Sequence, residues 1–213
     1  MRPAALLLRQ GGLVAFPTES WYGLAADPFD PEALERLFAV KQRGKDKPLP
    51  TIISSCDQLA LLAQEVPPAS RVLMERFWPG PLTLVFPARS HLPPLLTAGT
   101  GTVAVRCSSH PVAIELAKAF GGPITATSAN ISGRPPQDTA QGVADCLGAE
   151  VDMILDGGRT AGVCATTMVS CLEGTLSCIR RGQIPFADVK KVVEETERLH
   201  GKTNTLDEPE ERV

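Results

Sequence analysis

Four stretches of this sequence bring together side chains able to do chemistry. Lys41-Gln42-Arg43-Gly44-Lys45-Asp46-Lys47 places four cations and one acid within seven residues. Such a run offers an anion site; it is equally what a solvated helix end looks like, because cations sit well against the negative end of a helix macrodipole. In residues 102–106 a period of two puts Val103 and Val105 on one face and Thr102, Ala104 and Arg106 on the other. An arginine sharing its face with small residues has room for a ligand, or else is a satisfied arginine at a surface or edge. Residues 124–130 run from an apolar strand into Thr127-Ser128-Ala129-Asn130, with Ser132-Gly133 behind. Hydroxyls, a side-chain amide and backbone N–H groups at the carboxyl end of a strand are what an α/β crevice uses to hold a ligand, although a Ser/Asn-rich turn has the same composition. Phe16-Pro17-Thr18-Glu19-Ser20-Trp21-Tyr22-Gly23 adds hydroxyls, an acid and two aromatics after the first predicted strand.

The elements that must position these groups alternate in kind. Strands are predicted over 13–16, 51–54, 82–86, 102–106, 124–127, 153–155, 166–169 and 177–180, with helices near 57–64, 69–77, 111–120 and 139–147. A further helix spans 31–41, opened by Asp30 as N-cap and Pro31 at the first helical position. Its apolar stripe carries Leu34, Leu37 and Phe38, and Lys41, seven residues after Leu34, falls on that stripe and points inward or along the wall of a cleft. The strands after 151 follow one another without a helix, so antiparallel pairs are expected there. Phe77-Trp78-Pro79-Gly80-Pro81 reads as a rigid turn with Trp78 as a core plug. The pattern is α/β, with a twisted mixed parallel/antiparallel sheet and flanking helices. Val189, Val192, Val193 and Leu199 continue it as a closing helix, and residues 202–213 read as a frayed tail.

Composition narrows the function classes. The chain has 213 residues, 43% of them hydrophobic, enough for one domain whose core needs neither disulfides nor metal. The formal charge is −3, and residues 187–213, with eight acids and five bases, account for all of it. The body, 1–186, is neutral and carries no broad basic footprint of the kind a nucleic-acid module shows. The apolar run over residues 4–8 is too short for a bilayer span or a secretory segment, so the protein reads as cytoplasmic with no membrane partner. Six cysteines without a Cys-x-x-Cys, alongside three histidines, read as reduced, buried thiols rather than a zinc site. There is no Gly-x-x-x-x-Gly-Lys-[Ser/Thr], no Gly-x-Gly-x-x-Gly after a strand, no Gly-x-Ser-x-Gly and no His-Glu-x-x-His. P-loop kinases, Rossmann dehydrogenases, α/β-hydrolases and zincins lose their support.

Several motifs, taken in order, carry a resemblance. They are Pro17-Thr18-Glu19-Ser20-Trp21-Tyr22-Gly23-Leu24, Lys41-Gln42-Arg43, Lys47-Pro48-Leu49, Trp78-Pro79-Gly80-Pro81-Leu82-Thr83, Val105-Arg106, Thr127-Ser128-Ala129-Asn130-Ile131-Ser132-Gly133 and Ile179-Arg180-Arg181-Gly182. Together they resemble the YrdC family over about residues 5–183. The resemblance implies a YrdC-like catalytic domain over 1–186 around a positively lined cavity, followed by a C-terminal helix and flexible acidic tail over 187–213. It implies a nucleotidyltransferase that forms threonylcarbamoyl-AMP and pyrophosphate from L-threonine, bicarbonate and ATP. A tRNA threonylcarbamoyl-transferase complex would accept the product. Carried over by position, Lys41 and Arg43 are implied as catalytic, and Lys41, Arg43, Lys47, Thr102, Ser128, Asn130 and Arg180 as ATP contacts. Ser20, Arg106 and Thr166 are implied as threonine contacts. Mg²⁺ would enter with ATP, held mostly by phosphates and water, since no carboxylate cage is visible in the sequence.

The chain departs from the family pattern in places. Ser20 stands where many relatives have Thr, and Thr166 where Ser is usual, so both hydroxyls are kept. Ile52 stands where longer relatives often have His, and that contact does not carry over. After Arg181 only 32 residues remain, room for a helix and tail but not for a second domain, so closure of the site is expected from loops such as 131–140 or from the tail. Two rivals accompany this reading. One is a module that binds tRNA or double-stranded RNA weakly by shape; the other is a non-synthase paralogue of the same fold, or a carbamoyl-transfer relative of hydrogenase maturation.

Overall fold

The computed structural model describes residues 1–203, with side chains through Arg198. Two sheets form its frame. A four-stranded sheet contains β1 (Val14–Pro17), β2 (Tyr22–Ala25), β7 (Thr127–Ser128) and β8 (Met153–Ile154), in the order β7-β2-β1-β8. The six-stranded sheet is built from β3 (Thr51–Ile53), β4 (Leu82–Pro87), β5 (Thr102–Cys107), β6 (Ile124–Thr125), β9 (Thr167–Ser170) and β10 (Ser177–Arg180). Its order is β10-β9-β4-β5-β3-β6. Both sheets are mixed: β1 runs parallel to β8 and antiparallel to β2, while β4 runs parallel to β9 and antiparallel to β5.

Burial explains which sequence patterns became which elements. Leu13 and Ala15 enter the larger apolar cluster with Leu34, Leu37, Leu84 and Val105, whereas Val14 and Phe16 enter a second cluster with Ala4, Leu8, Leu116 and Ile124. A strand covered on both faces reads as an unbroken apolar run, as residues 13–16 do. Helix α1 (Arg2–Arg9) buries Ala4, Ala5 and Leu8 at helical spacing, supplies Ala4 and Leu8 to that second cluster, and packs on α5 (Pro111–Phe120). Arg9 reinforces the contact, its Nη2 donating to Ala119 O and Phe120 O at the end of α5. Helix α2 (Pro31–Lys41) starts where its cap predicts: Asp30 Oδ1 accepts from the N–H groups of Glu32 and Ala33. The remaining helices are α3 (Pro68–Phe77), α4 (Pro94–Thr97), α6 (Ala140–Leu147) and α7 (Phe186–Thr203).

Several expectations need correction. Residues 124–127 are not one strand: the chain leaves the six-stranded sheet after Thr125 and joins the four-stranded sheet at Thr127, so Ala126 bridges the two. Residues 57–64 form a 3-10 turn over Cys56–Leu61 rather than an α-helix. Of the strands after 151, only β9 and β10 pair antiparallel; β8 and β9 reach back to β1 and β4 in parallel. The cysteines are free, but only Cys107 and Cys171 are buried and Cys56 is exposed. Trp78 is half-buried, its Nε1 donating to Leu82 O at 2.7 Å and its ring edge against Phe86. The closing helix begins one residue before the expected boundary and runs through Lys202 and Thr203, where the expected tail begins; the rest of that tail, from 204, lies outside the described residues. No described helix is long and apolar enough to cross a membrane.

Candidate active site

A cavity of about 390 Å³ opens where the two sheets meet. Its wall takes residues from the β1–β2 turn, from β7, from β4, β5, β9 and β10, and from the loop after α2. Four cations lie in this lining: Arg43, Lys47, Arg106 and Arg180. Of the residues singled out from sequence, Ser20, Ser128 and Thr166 join them there, while Lys41, Asn130 and Thr102 are outside the lining.

Lys41 ends α2 on the same buried stripe as Leu34, Leu37 and Phe38, and Gln42 terminates the helix in the left-handed conformation. Its side chain is 1% exposed. Nζ donates to Ser128 O, to Asn130 O at 2.7 Å and to Asn130 Oδ1 at 3.3 Å. Ser128 Oγ donates to Asn130 Oδ1 at 2.6 Å, and Ser132 N donates back to Lys41 O at 2.8 Å. The lysine therefore binds the turn after β7 from behind the cavity wall, and presents Ser128 to the cavity rather than its own ammonium. Burial, helped by the neighbouring Arg43 charge, lowers its pKa to about 7.

Arg43 curls back on its own loop, Nη2 donating to Pro48 O at 2.9 Å. Its Nε is buried with no hydrogen-bond partner among the described residues. Burial lowers the Arg43 pKa against the pull of Asp46. Lys45 is drawn to the outside by Glu35, so that cation belongs to a solvated face.

Arg180 owes its aim to a bulge. The β9–β10 register runs Cys178↔Val169 and then Arg180↔Met168, so Ile179 is the extra residue and is left 54% exposed. Arg180 Nε and Nη2 donate to Thr166 O (3.0 Å) and Oγ1 (2.8 Å), and Thr166 Oγ1 shares a 2.9 Å hydrogen bond with Thr83 Oγ1. Gly182 makes this corner possible, because a Cβ there would overlap Ala165 O and the backbone of Thr166 and Thr167. Burial, and then the neighbouring Arg106 cation, lowers the Arg180 pKa.

Arg106 is 6% exposed and already has a partner, its Nη1 donating to Glu19 Oε1. Ser108 Oγ donates to Glu19 Oε2 at 2.6 Å. Burial alone would raise the Glu19 carboxyl, but the Arg106 charge and the hydrogen bonds from Arg106 and Ser108 outweigh it and hold it below the usual carboxylate range. Sequence reasoning noted the acid in this stretch but gave it no role; nothing local announces a partner 87 residues away. Ser20 Oγ lies 3.1 Å from Thr18 Oγ1 at the cavity edge. Thr102 shares a face with Arg106 but begins the strand, roughly 13 Å away at about 3.3 Å per residue, where it hydrogen-bonds Thr100.

A cleft with this distribution of charge suits an anionic ligand larger than a single carboxylate. The comparisons with known proteins agree with the family resemblance. The model of the Sua5, YciO and YrdC proteins, described as Telomere recombination, matches residues 6–182. The chain belongs to this family. Threonylcarbamoyl-AMP synthase from Pyrococcus abyssi is 42% identical over 200 residues, which are 94% of this chain and 58% of that one. The enzyme of the same name from Bacillus subtilis is 40% identical over 89% of this chain and 55% of its own. The crystal structure of P. abyssi Sua5 complexed with L-threonine superposes with a TM-score of 0.88 at 42% identity, covering 91% of this chain and 57% of that chain. The chain thus spans a little over half the length of these relatives, and the expected α/β fold with mixed sheets is the fold that the Sua5 structures share.

Proposed function

We propose that this chain joins L-threonine, bicarbonate and ATP into threonylcarbamoyl-AMP and pyrophosphate, the activity for which its P. abyssi and B. subtilis relatives are named. The observation that carries the reading is an asymmetry among the cavity's cations. Arg43, Lys47 and Arg180 have no carboxylate partner among the described residues, whereas Arg106 has one. Three cations without an ion-pair partner among the described residues suit a polyphosphate, and one paired arginine suits a small carboxylate beside it.

The chemistry asks the protein for little beyond this. Threonine's amine and bicarbonate give a carbamate with loss of water. A carbamate oxygen then attacks the α-phosphorus in line, and pyrophosphate leaves with the electrons of the broken P–O bond. Catalysis is positioning and charge neutralisation. In this reading Arg43, Lys47 and Arg180 hold the phosphates through charge-assisted bonds worth about 1.5–3 kcal/mol each. Ser128, held in place by Asn130 and Lys41 from behind the wall, closes on the nucleotide, and Arg106, Ser20 and Thr166 take the amino acid. Among the described residues no group of three or more His, Cys, Asp or Glu side chains could hold a metal. Mg²⁺ would arrive on ATP and be held mostly by phosphate and water, as its reluctance to dehydrate allows. The labile product would pass to a tRNA threonylcarbamoyl-transferase complex in the cytoplasm.

The test is to incubate the purified chain with ATP, Mg²⁺, bicarbonate and a panel of amino acids, and to follow pyrophosphate and the mass of any adenylate. Release that depends on both threonine and bicarbonate, with the mass of threonylcarbamoyl-AMP, is the expected result. ATP binding without turnover would overturn the reading. In that case a steep salt dependence of tRNA binding would favour an RNA-binding role.

A further inference from the structure

We infer that Glu19 determines what Arg106 can bind. By holding one side of the guanidinium and cancelling its charge, it reserves Arg106 for the single carboxylate of an amino acid and withholds it from phosphate. The inference rests on the synthase reading, because it takes the amino acid and the nucleotide to share this cavity.

Four observations meet here. First, Arg106 is the one lining cation with a carboxylate partner among the described residues. Second, the pair is buried, the two side chains 7% and 12% exposed, so the charges cancel in a medium that screens them weakly. Third, Glu19 stands behind the arginine: Arg106 belongs to the cavity lining and Glu19 does not. Its backbone is fixed by Gln183 Nε2, which donates to Glu19 O at 3.2 Å, and its second oxygen by Ser108. Fourth, only Nη1 of Arg106 is engaged among the described residues, leaving the other guanidinium N–H groups for a ligand.

The consequence follows from the anions themselves. An oriented guanidinium fork fits a carboxylate or a phosphate, so charge is what separates them here. A multiply charged phosphate draws on net positive charge, which the Glu19–Arg106 pair does not offer, whereas a singly charged carboxylate needs less of it and can be held by two parallel N–H donors. Without Glu19, Arg106 would stand uncompensated next to Arg180, close enough to depress its pKa even now. Arg106 would then join Arg43, Lys47 and Arg180 in drawing phosphate. Glu19 is thus a positioning residue that acts through Arg106 and keeps the two substrates in separate places.

Calorimetric titration of the whole chain with L-threonine and with inorganic pyrophosphate separates this from a merely structural role. In the wild type the two ligands should bind without competing. In Glu19→Gln the threonine Kd should rise about tenfold, the loss expected when one charge-assisted contact is misaligned. The pyrophosphate Kd should fall, and pyrophosphate should now displace threonine. Glu19→Asp, which keeps the charge, should return the pyrophosphate Kd to the wild-type value. A Glu19→Gln protein in which both affinities change by similar factors in the same direction, or neither changes, would overturn the inference. Should that variant fail to fold, Ser108→Ala loosens Glu19 while keeping its charge, and should weaken threonine alone; unchanged threonine binding there would overturn the inference as well. A wild-type chain that binds neither threonine nor pyrophosphate would instead remove the synthase reading, and this inference with it.

Discussion

Raising the pH from 7 to 9 should stabilise this protein through Lys41. Below pH 7 both the native and unfolded chains hold the lysine proton, and the cost of burying an ammonium at 1% exposure stands in full. As pH rises through about 7 the native group loses its proton while the unfolded one, with its ordinary value of 10.5, keeps it. The unfolded state then binds more protons, so stability climbs with pH until the unfolded lysine titrates. Each unit of separation is worth about 1.4 kcal/mol, and the climb between pH 7 and 9 sums to about 2 kcal/mol. Buried thiols oppose it: Cys107, pushed up to about 11 by burial, stays protonated in the native state while unfolded thiols ionise. The informative quantity is therefore the difference between the wild type and Lys41→Met, from urea unfolding at pH 7, 8 and 9. The wild type should gain about 2 kcal/mol relative to the variant over that span. A difference that stays flat would refute the reasoning, and would mean that the three oxygens around Nζ keep the ammonium charged throughout.

Three further outcomes are expected. Gly182→Ala forces a methyl group into the backbone of the Thr166 corner and should cost about 3 kcal/mol in urea unfolding, while weakening whatever Arg180 and Thr166 hold. Asp30→Ala removes the acceptor of two helix N–H groups and should cost about 1 kcal/mol, with turnover unchanged because the cap lies at the far end of α2 from the cavity. Arg43→Ala should abolish adenylate formation, read as pyrophosphate release, while the melting transition stays cooperative; normal turnover would contradict a phosphate role for this residue.

What could be read from the sequence divides by range. Helix α2 was legible to the residue because its signals are local: Asp30, Pro31, and a stripe of Leu34, Leu37, Phe38 and Lys41. The inward course of Lys41 was legible for the same reason, but its destination, 87 and 89 residues along, was not. The alternation in β5 separated Arg106 from Val103 and Val105 correctly, and could not show that Glu19 completes the site. Helix α1 escaped notice because its apolar residues crowd into one short run, and the 4, 5, 8 spacing that buries Ala4, Ala5 and Leu8 is hidden inside it. β2 escaped because all four of its residues are buried, so no polar alternation marks it. The Ile179 bulge, which aims Arg180, leaves no composition signal; it appears only as a shift of register against β9.

The partnership of β4 with β9 has a consequence for how the molecule is made. Leu82 pairs with Thr167, which is synthesised 85 residues later. At translation rates of about 5–20 residues per second, that interval is roughly 4–17 s. Through it β4 can pair with β5 on one side, while its other edge, carrying Leu82, Leu84 and Val85, waits open to any passing strand. Thr166 and Arg180 arrive with the late segment, so no nascent chain owns a cavity until that edge is sealed. Competence for ligand and protection of the β4 edge are reached in the same step, when β9 pairs with β4.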